Sequence, residues 1–191
     1  MKYHTVLIFG APGSGKGTQG KILGQVPGYY HFACGDVFRS LDLKSDLGKT
    51  FLEFSSKGEL VPDEFTVRLW KDAIGGAVHT KRFDITHDTL VLDGIPRNVH
   101  QAKMMADQME VKRVFHLTCP DRAKLVQRLK QRALKDNRLD DANENTIRHR
   151  LEIYEKESRP VLEFYGKEIT TMVDAAQPPI KVLSDILKAL P

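Results

Sequence analysis

Short apolar runs recur along the chain, separated by longer segments with helical spacing of apolar and polar positions. Thr5-Val6-Leu7-Ile8-Phe9 reads as a buried strand, because an apolar run this brief ending at a glycine does not reach helical length. Further β-rich runs at 30–33, 89–92, 114–117 and 169–173 predict four more strands. Between them, helical patterns cover 15–25, 98–109, 121–135, 145–165 and 180–190. Pro120 and Pro179 stand near helix starts, where a missing amide costs little. Pro160 lies inside a helical pattern and predicts a bend, since it removes a donor and crowds the preceding turn. Strands alternating with helices predict an α/β fold with a parallel sheet covered on both faces.

One interval departs from that alternation. Residues 36–77 show no convincing strand but three helical patterns, separated near Ser45 and by Lys57-Gly58. The first two read as a small helical insert, placed at 35–64, and the third returns to the core.

The 191 residues, 41% hydrophobic and 28% charged, predict one globular domain over 1–191 and exclude a disordered or fibrous chain. A formal charge of +4 suits anionic ligands without implying nucleic acid. Two cysteines, Cys34 and Cys119, make neither a disulfide framework nor a zinc site, so no structural zinc and a reducing cytoplasmic setting are expected. No apolar run approaches the roughly 20 residues that span a bilayer, so no membrane partner is expected, and the fold is expected to begin within a few residues of Met1.

Gly10-Ala11-Pro12-Gly13-Ser14-Gly15-Lys16-Gly17-Thr18 follows the first strand and opens the first helix. In a strand-turn-helix, successive amides face an anion, the helix start adds a favourable partial charge, and Lys16 supplies a mobile cation. The spacing is that of a phosphate-binding loop, with Gly17 in the usual Ser/Thr position and the hydroxyl moved to Thr18. A plain tight turn with an exposed lysine explains fewer of these coincident features. Asp93, just beyond the run at 89–92, is placed at the carboxyl edge of the sheet, where it either holds Mg²⁺ through water or organises Lys16 and Thr18. Thr18 and Asp93 are thus the candidate metal residues.

A second cluster suits a phosphate acceptor. Arg39 follows Gly35-Asp36, and Arg97 and Gln101 follow Asp93-Gly94. Two arginines can clamp one monophosphate, a carboxamide can read a base edge, and backbone near Leu60 and Val61 can line the pocket. Arg39 alone would read as a surface arginine; the paired context favours the clamp. Arg122, Arg128, Arg132, Arg138, Arg148 and Arg150 crowd the later third, where they can neutralise phosphate oxygens; Arg122 and Arg148 read better as solvated helix surface.

The loop, extended to Gln19, and Asp93-Gly94-Ile95-Pro96-Arg97 resemble the two signatures of the adenylate kinase family, with Ile95 replacing phenylalanine in the second. Gly35-Asp36, Arg39, Gly58-Glu59-Leu60-Val61-Pro62, Gln101 and Arg138-Leu139-Asp140-Asp141 followed by Arg150 carry the resemblance over nearly the whole chain. It implies a P-loop NTPase fold of three layers: a five-stranded parallel core, a mobile acceptor-binding helical insert and a lid over ATP. It also implies a monomer that catalyses reversible, Mg²⁺-assisted transfer from ATP to AMP, giving two ADP, with no nucleic-acid partner.

By this resemblance residues 10–18 hold ATP with Arg128 near its base. Arg39 and Arg97 hold the AMP phosphate beside Cys34, Gly35 and Gly94, and Gln101 meets adenine. Lys16, Arg97, Arg132, Arg138 and Arg150 act on the transferring phosphate. The short interval 132–138 resembles short-lid members, and the lid is placed at 132–142. Cys34 stands where many members have threonine, so one hydroxyl contact with the base is absent and a UMP/CMP kinase is the nearest alternative; Gln101 favours adenine. A nucleotide-sensing regulator would need no second monophosphate pocket, and an RNA-binding module would need aromatic-interleaved basic strands that the chain lacks.

Overall fold

The computed structural model describes residues 2–136, 138, 141 and 143–191. Met1, Leu139 and Asp140, invoked above, lie outside the described residues, as do Asn137 and Ala142 within the expected lid.

Five parallel strands form one sheet in the order β2-β3-β1-β4-β5: β1 (Tyr3–Gly10), β2 (Tyr29–Ala33), β3 (Thr89–Asp93), β4 (Met109–Thr118) and β5 (Thr170–Asp174). β1 is central, with Ile8 opposite Asp93 of β3 and Gly10 opposite Leu117 of β4. Alternate side chains divide between two cores, as strand periodicity requires. Val6 and Ile8 pack with Leu23 of α1 (Lys16–Leu23) and with Val182 and Ile186 of α9 (Pro179–Lys188). Leu7 and Phe9 pack on the other face with Trp70 and Ile74 of α4 (Asp63–His79) and Met105 of α5 (Val99–Met105). The helix after β1 and the helix after β3 therefore leave adjacent strands toward opposite faces, which opens a crevice at their carboxyl ends.

The interval without strands holds α2 (Cys34–Arg39) and α3 (Asp46–Lys57) before α4. Ser45 caps α3 by accepting from the Gly48 amide at 3.1 Å. Gly58 ends it in the left-handed region at φ 79°, where glycine is favoured. A β-carbon on Gly58 would lie 2.9 Å from Arg150 Cγ and 3.0 Å from the Thr146 carbonyl, so the end of α3 seats on α7 (Glu144–Ile153).

Two boundaries differ from the expectation. α5 stops at Met105, and β4 starts at Met109, five residues before the apolar run at 114–117. Glu110, Lys112 and Arg113 disguise that first half, whose pairing with Tyr3, His4, Thr5 and, past a register shift, Val6 makes it strand. The pattern at 145–165 divides into α7, a π turn at Tyr154–Ser158 and α8 (Pro160–Tyr165). The bend expected at Pro160 takes the form of a widened turn, in which the Arg159 amide donates to the Tyr154 carbonyl at 2.9 Å.

A third cluster, Leu125 and Leu129 of α6 (Arg122–Asp136) with Ile147 and Leu151, binds α6 to α7. Leu129 is fully buried, and its Cγ comes within 3.2 Å of a β-carbon built on Gly13, so this cluster also floors the loop after β1. Leu129→Ala should lower unfolding free energy by about 2–5 kcal/mol, read by urea denaturation, because the cavity forms where α6, α7 and the loop meet.

Candidate active site

A cavity of about 750 Å³ opens at the carboxyl edge of β1 and β3. Gly10, Pro12, Gly13, Ser14, Gly15, Lys16, Gly17 and Thr18 all border it, whereas Ala11 turns into the core. Gly13 sits at φ 83°, and a β-carbon there would come within 2.9 Å of the Leu125 carbonyl, so only glycine lets the loop lie this close to α6. Gly15 precedes α1 without a side-chain cap, and the amides at the start of a helix so begun suit an anion.

Lys16 folds back over the loop, its Nζ donating to the carbonyls of Gly10 at 2.7 Å and Ala11 at 3.1 Å. Burial lowers its pKa to about 8; Asp93 opposes the shift, and Arg97, Arg132 and Arg150 reinforce it. Groups from β3, the turn before α5, α6 and α7 thus converge electrostatically on one ammonium.

Asp93 closes β3, with Oδ2 only 3.3 Å from where a β-carbon on Gly17 would stand. Glycine at position 17 therefore gives the carboxylate room beside the loop. Thr18 and Asp93 border the same cavity and present hard oxygens, the donor type Mg²⁺ takes when phosphates and water complete its octahedron. These two residues fit the ion.

On the other side of the cavity, Arg39 curls over the start of α2, its guanidinium 3.0 Å from a β-carbon position on Gly35 and 2.6 Å from Asp36. Arg97 is braced by donating from Nε to the Gly94 carbonyl at 2.9 Å. Both guanidiniums act on Cys34, which is 2% exposed; burial pushes its thiol up to about 11, so it packs as a neutral group. Gly94, Leu60 and Val61 border the same region. Gln101 also borders it, but its carboxamide is already engaged: Oε1 accepts from the Arg97 amide at 2.7 Å and Nε2 donates to Asp63 at 2.8 Å. One amide hydrogen and one oxygen lone pair remain.

The arginines of the later third gather on a carboxylate to which the sequence reading assigned no role. Asp141 is 0% exposed; Arg132 donates to its Oδ2 from Nε at 2.8 Å and Nη2 at 2.6 Å, Arg150 pairs with Oδ1, and Arg138 Nε lies 3.6 Å from Oδ2. Burial also lowers the Arg132 pKa, with Arg138 next in effect. Arg128 braces backbone instead, donating to the carbonyls of Ala175 at 3.0 Å and Gly13 at 3.4 Å. Arg122 is exposed and Arg148 pairs with Glu144 at 2.6 Å, in keeping with their reading as surface. In the sequence Asp141 stands only as the last residue of the motif at 138–141 and Asp63 only as an acid at a helix start, and neither signal names a partner.

Among the described residues no helix is long and apolar enough to cross a membrane. The family model described as "Adenylate kinase" matches residues 8–170. The chain is 36% identical to an adenylate kinase of Thermobifida fusca over 97% of each chain. It is 34% identical to one of a Cyanothece species over 95% of this chain and 92% of the relative. It is 36% identical to one of Prochlorococcus marinus over 86% and 84%. Relatedness along nearly the full length, in a fold that brings residues 10–18 and both Arg39 and Arg97 to one cavity, leads to one conclusion: the chain belongs to the adenylate kinase family.

Proposed function

We propose that this chain catalyses reversible phosphoryl transfer between Mg²⁺·ATP and AMP, yielding two ADP. The observation that carries the reading is the meeting, in one cavity, of the loop and Lys16 with the Arg39–Arg97 pair and the Arg132–Arg138–Arg150 cluster. ATP lies along residues 10–18 with Arg128 on its flank, and AMP lies between α2–α3 and the turn 94–101. Residues 35–64 serve as the acceptor-binding insert and 132–142 as the lid.

The acceptor phosphate is already an anionic nucleophile, so no general base is needed and catalysis rests on alignment and charge. Arg39 and Arg97 orient the acceptor. Lys16, Arg97, Arg132, Arg138 and Arg150 meet the charge that spreads over the transferring group, and closure excludes water. Mg²⁺, held at Thr18 and Asp93 when bound, supplies charge neutralisation of the ATP phosphates. One chain contributes every group named, which supports action as a monomer, and the unpaired thiols of Cys34 and Cys119 suit the cytoplasm.

The deciding experiment offers AMP, GMP, CMP and UMP with Mg²⁺·ATP and separates the diphosphate products. AMP should be preferred, and a preference for CMP or UMP would replace the adenine assignment. In the same assay Gln101→Ala should narrow the AMP-over-CMP preference by about tenfold, the cost of one lost polar contact in a desolvated site.

Lys16→Met should lower turnover by about 10²–10³-fold while preserving the circular-dichroism spectrum, and chelation of Mg²⁺ should abolish turnover in the parent protein. Near-normal turnover in the folded variant removes Lys16 from the mechanism.

Arg39→Ala should raise the KM for AMP by about 10–100-fold, the value of a charged hydrogen bond, with a smaller change in kcat. Arg132→Ala should instead depress kcat when both nucleotides saturate, because its contact strengthens in the transition state. Saturation kinetics separate the two.

A further inference from the structure

Behind the acceptor side of the cavity, side chains from α4 and α5 close a hydrogen-bonded network. Asp63, the first residue of α4, accepts through Oδ1 from Asn98 at 2.9 Å and Gln101 at 2.8 Å, while its Oδ2 lies 2.8 Å from His100 Nδ1. Gln101, 1% exposed, also accepts through Oε1 from the Arg97 backbone amide at 2.7 Å, and its backbone N–H donates to Asn98 Oδ1 at 2.7 Å. Among the described residues that border the cavity, Gln101 is included and Asp63 is not.

A carboxamide turned by half a rotation keeps almost the same shape, so only its partners decide which way it faces. Here the partners make opposite demands. The Arg97 amide can only donate, and an ionised Asp63 can only accept. Turning Gln101 over would oppose N–H to N–H on one side and oxygen to oxygen on the other. The unengaged hydrogen and lone pair of Gln101 are therefore delivered in a fixed order.

We infer that Asp63 is a positioning residue for base selection: by locking the Gln101 carboxamide it makes the pocket accept adenine and reject a 6-oxopurine. This rests on the reading of the site as an AMP pocket. Adenine offers an amino donor beside the N1 acceptor, complementary to the free lone pair and free hydrogen. Hypoxanthine and guanine offer the carbonyl acceptor and N1–H donor in the reverse order, so the same seat sets like against like. A carboxamide free to turn would serve both edges.

The test compares AMP with IMP, which differ at this edge and keep the same ribose phosphate. For Asp63→Ala, the ratio of kcat/KM for AMP over IMP should fall about tenfold, through acceptor KM, with the KM for Mg²⁺·ATP within about twofold of the parent. Asp63→Asn can keep its carbonyl toward Gln101 and its amide toward His100, so it should hold the parent ratio within about threefold. Asp63→Ser, whose hydroxyl donates or accepts and imposes no orientation, is read in the same way should Asp63→Ala fail to fold.

A folded Asp63→Ala or Asp63→Ser variant that keeps the parent ratio, or that loses AMP and IMP activity in equal measure, overturns the inference, the second result marking a purely structural tie between α4 and α5. A parent protein with no preference for AMP over IMP overturns it as well. Calorimetric titration of AMP and IMP without ATP separates this inference from the proposed reaction. If the parent binds AMP selectively, loses that selectivity on Asp63→Ala and transfers no phosphoryl group, the reaction falls and the inference stands.

Discussion

The organising constraint of this molecule is the confinement of like charges around a half-buried lysine. Lys16 is held where burial disfavours its charge and where Arg97, Arg132 and Arg150 disfavour it further, with Asp93 as the opposing acid. Such an arrangement is costly without anions and strongly attractive to them, because low surrounding polarity magnifies each interaction. Asp141 makes the cluster tolerable. Fully buried, it gathers Arg132, Arg138 and Arg150 and fixes their spacing. Removing one partner from a buried ionic group leaves the others uncompensated, which makes Asp141 an architectural residue of the site even without contact to a ligand.

The sheet explains why these charges meet. Neighbouring strands β1 and β3 send their following helices to opposite faces, and the crevice between their carboxyl ends receives the loop, Asp93 and the turn that carries Arg97. α6 then covers the loop from one side. Its Leu129 supports Gly13 from below, and its Arg128 ties the Gly13 carbonyl to the backbone after β5. α7 brings Arg150, and the Gly58 contact seats the end of α3 against that same arginine. The helical interval and the arginine cluster therefore meet at one contact, the end of α3 lying against the stem of Arg150.

The side of the cavity that carries Arg39, Arg97 and Gln101 is held by hydrogen bonding more than by charge density. Asp36 restrains Arg39, the Gly94 carbonyl restrains Arg97, and Gln101 joins the Arg97 backbone to Asp63. Cys34 contributes a small, buried neutral surface that feels both guanidiniums.

Much of this was legible in the linear chain because it is local. A phosphate loop is a contiguous stretch whose glycines, lysine and flanking strand and helix all lie within 20 residues, so Gly10 to Thr18 announced themselves, as did Asp93 through Arg97. The alternation of apolar runs and helical patterns likewise determined the fold class, since burial on two faces leaves its period in the sequence. Tertiary structure alone decided what depends on distant partners. The first half of β4 became strand because β1 offered it hydrogen bonds, although Glu110, Lys112 and Arg113 concealed it. Asp141 became the centre of the arginines through contacts made nine residues to either side across two helices, and Asp63 became the partner of Gln101 across a separation of 38. An acid reads the same in sequence whether it is solvated or paired; only the fold places the donors around it and excludes the water that would otherwise serve.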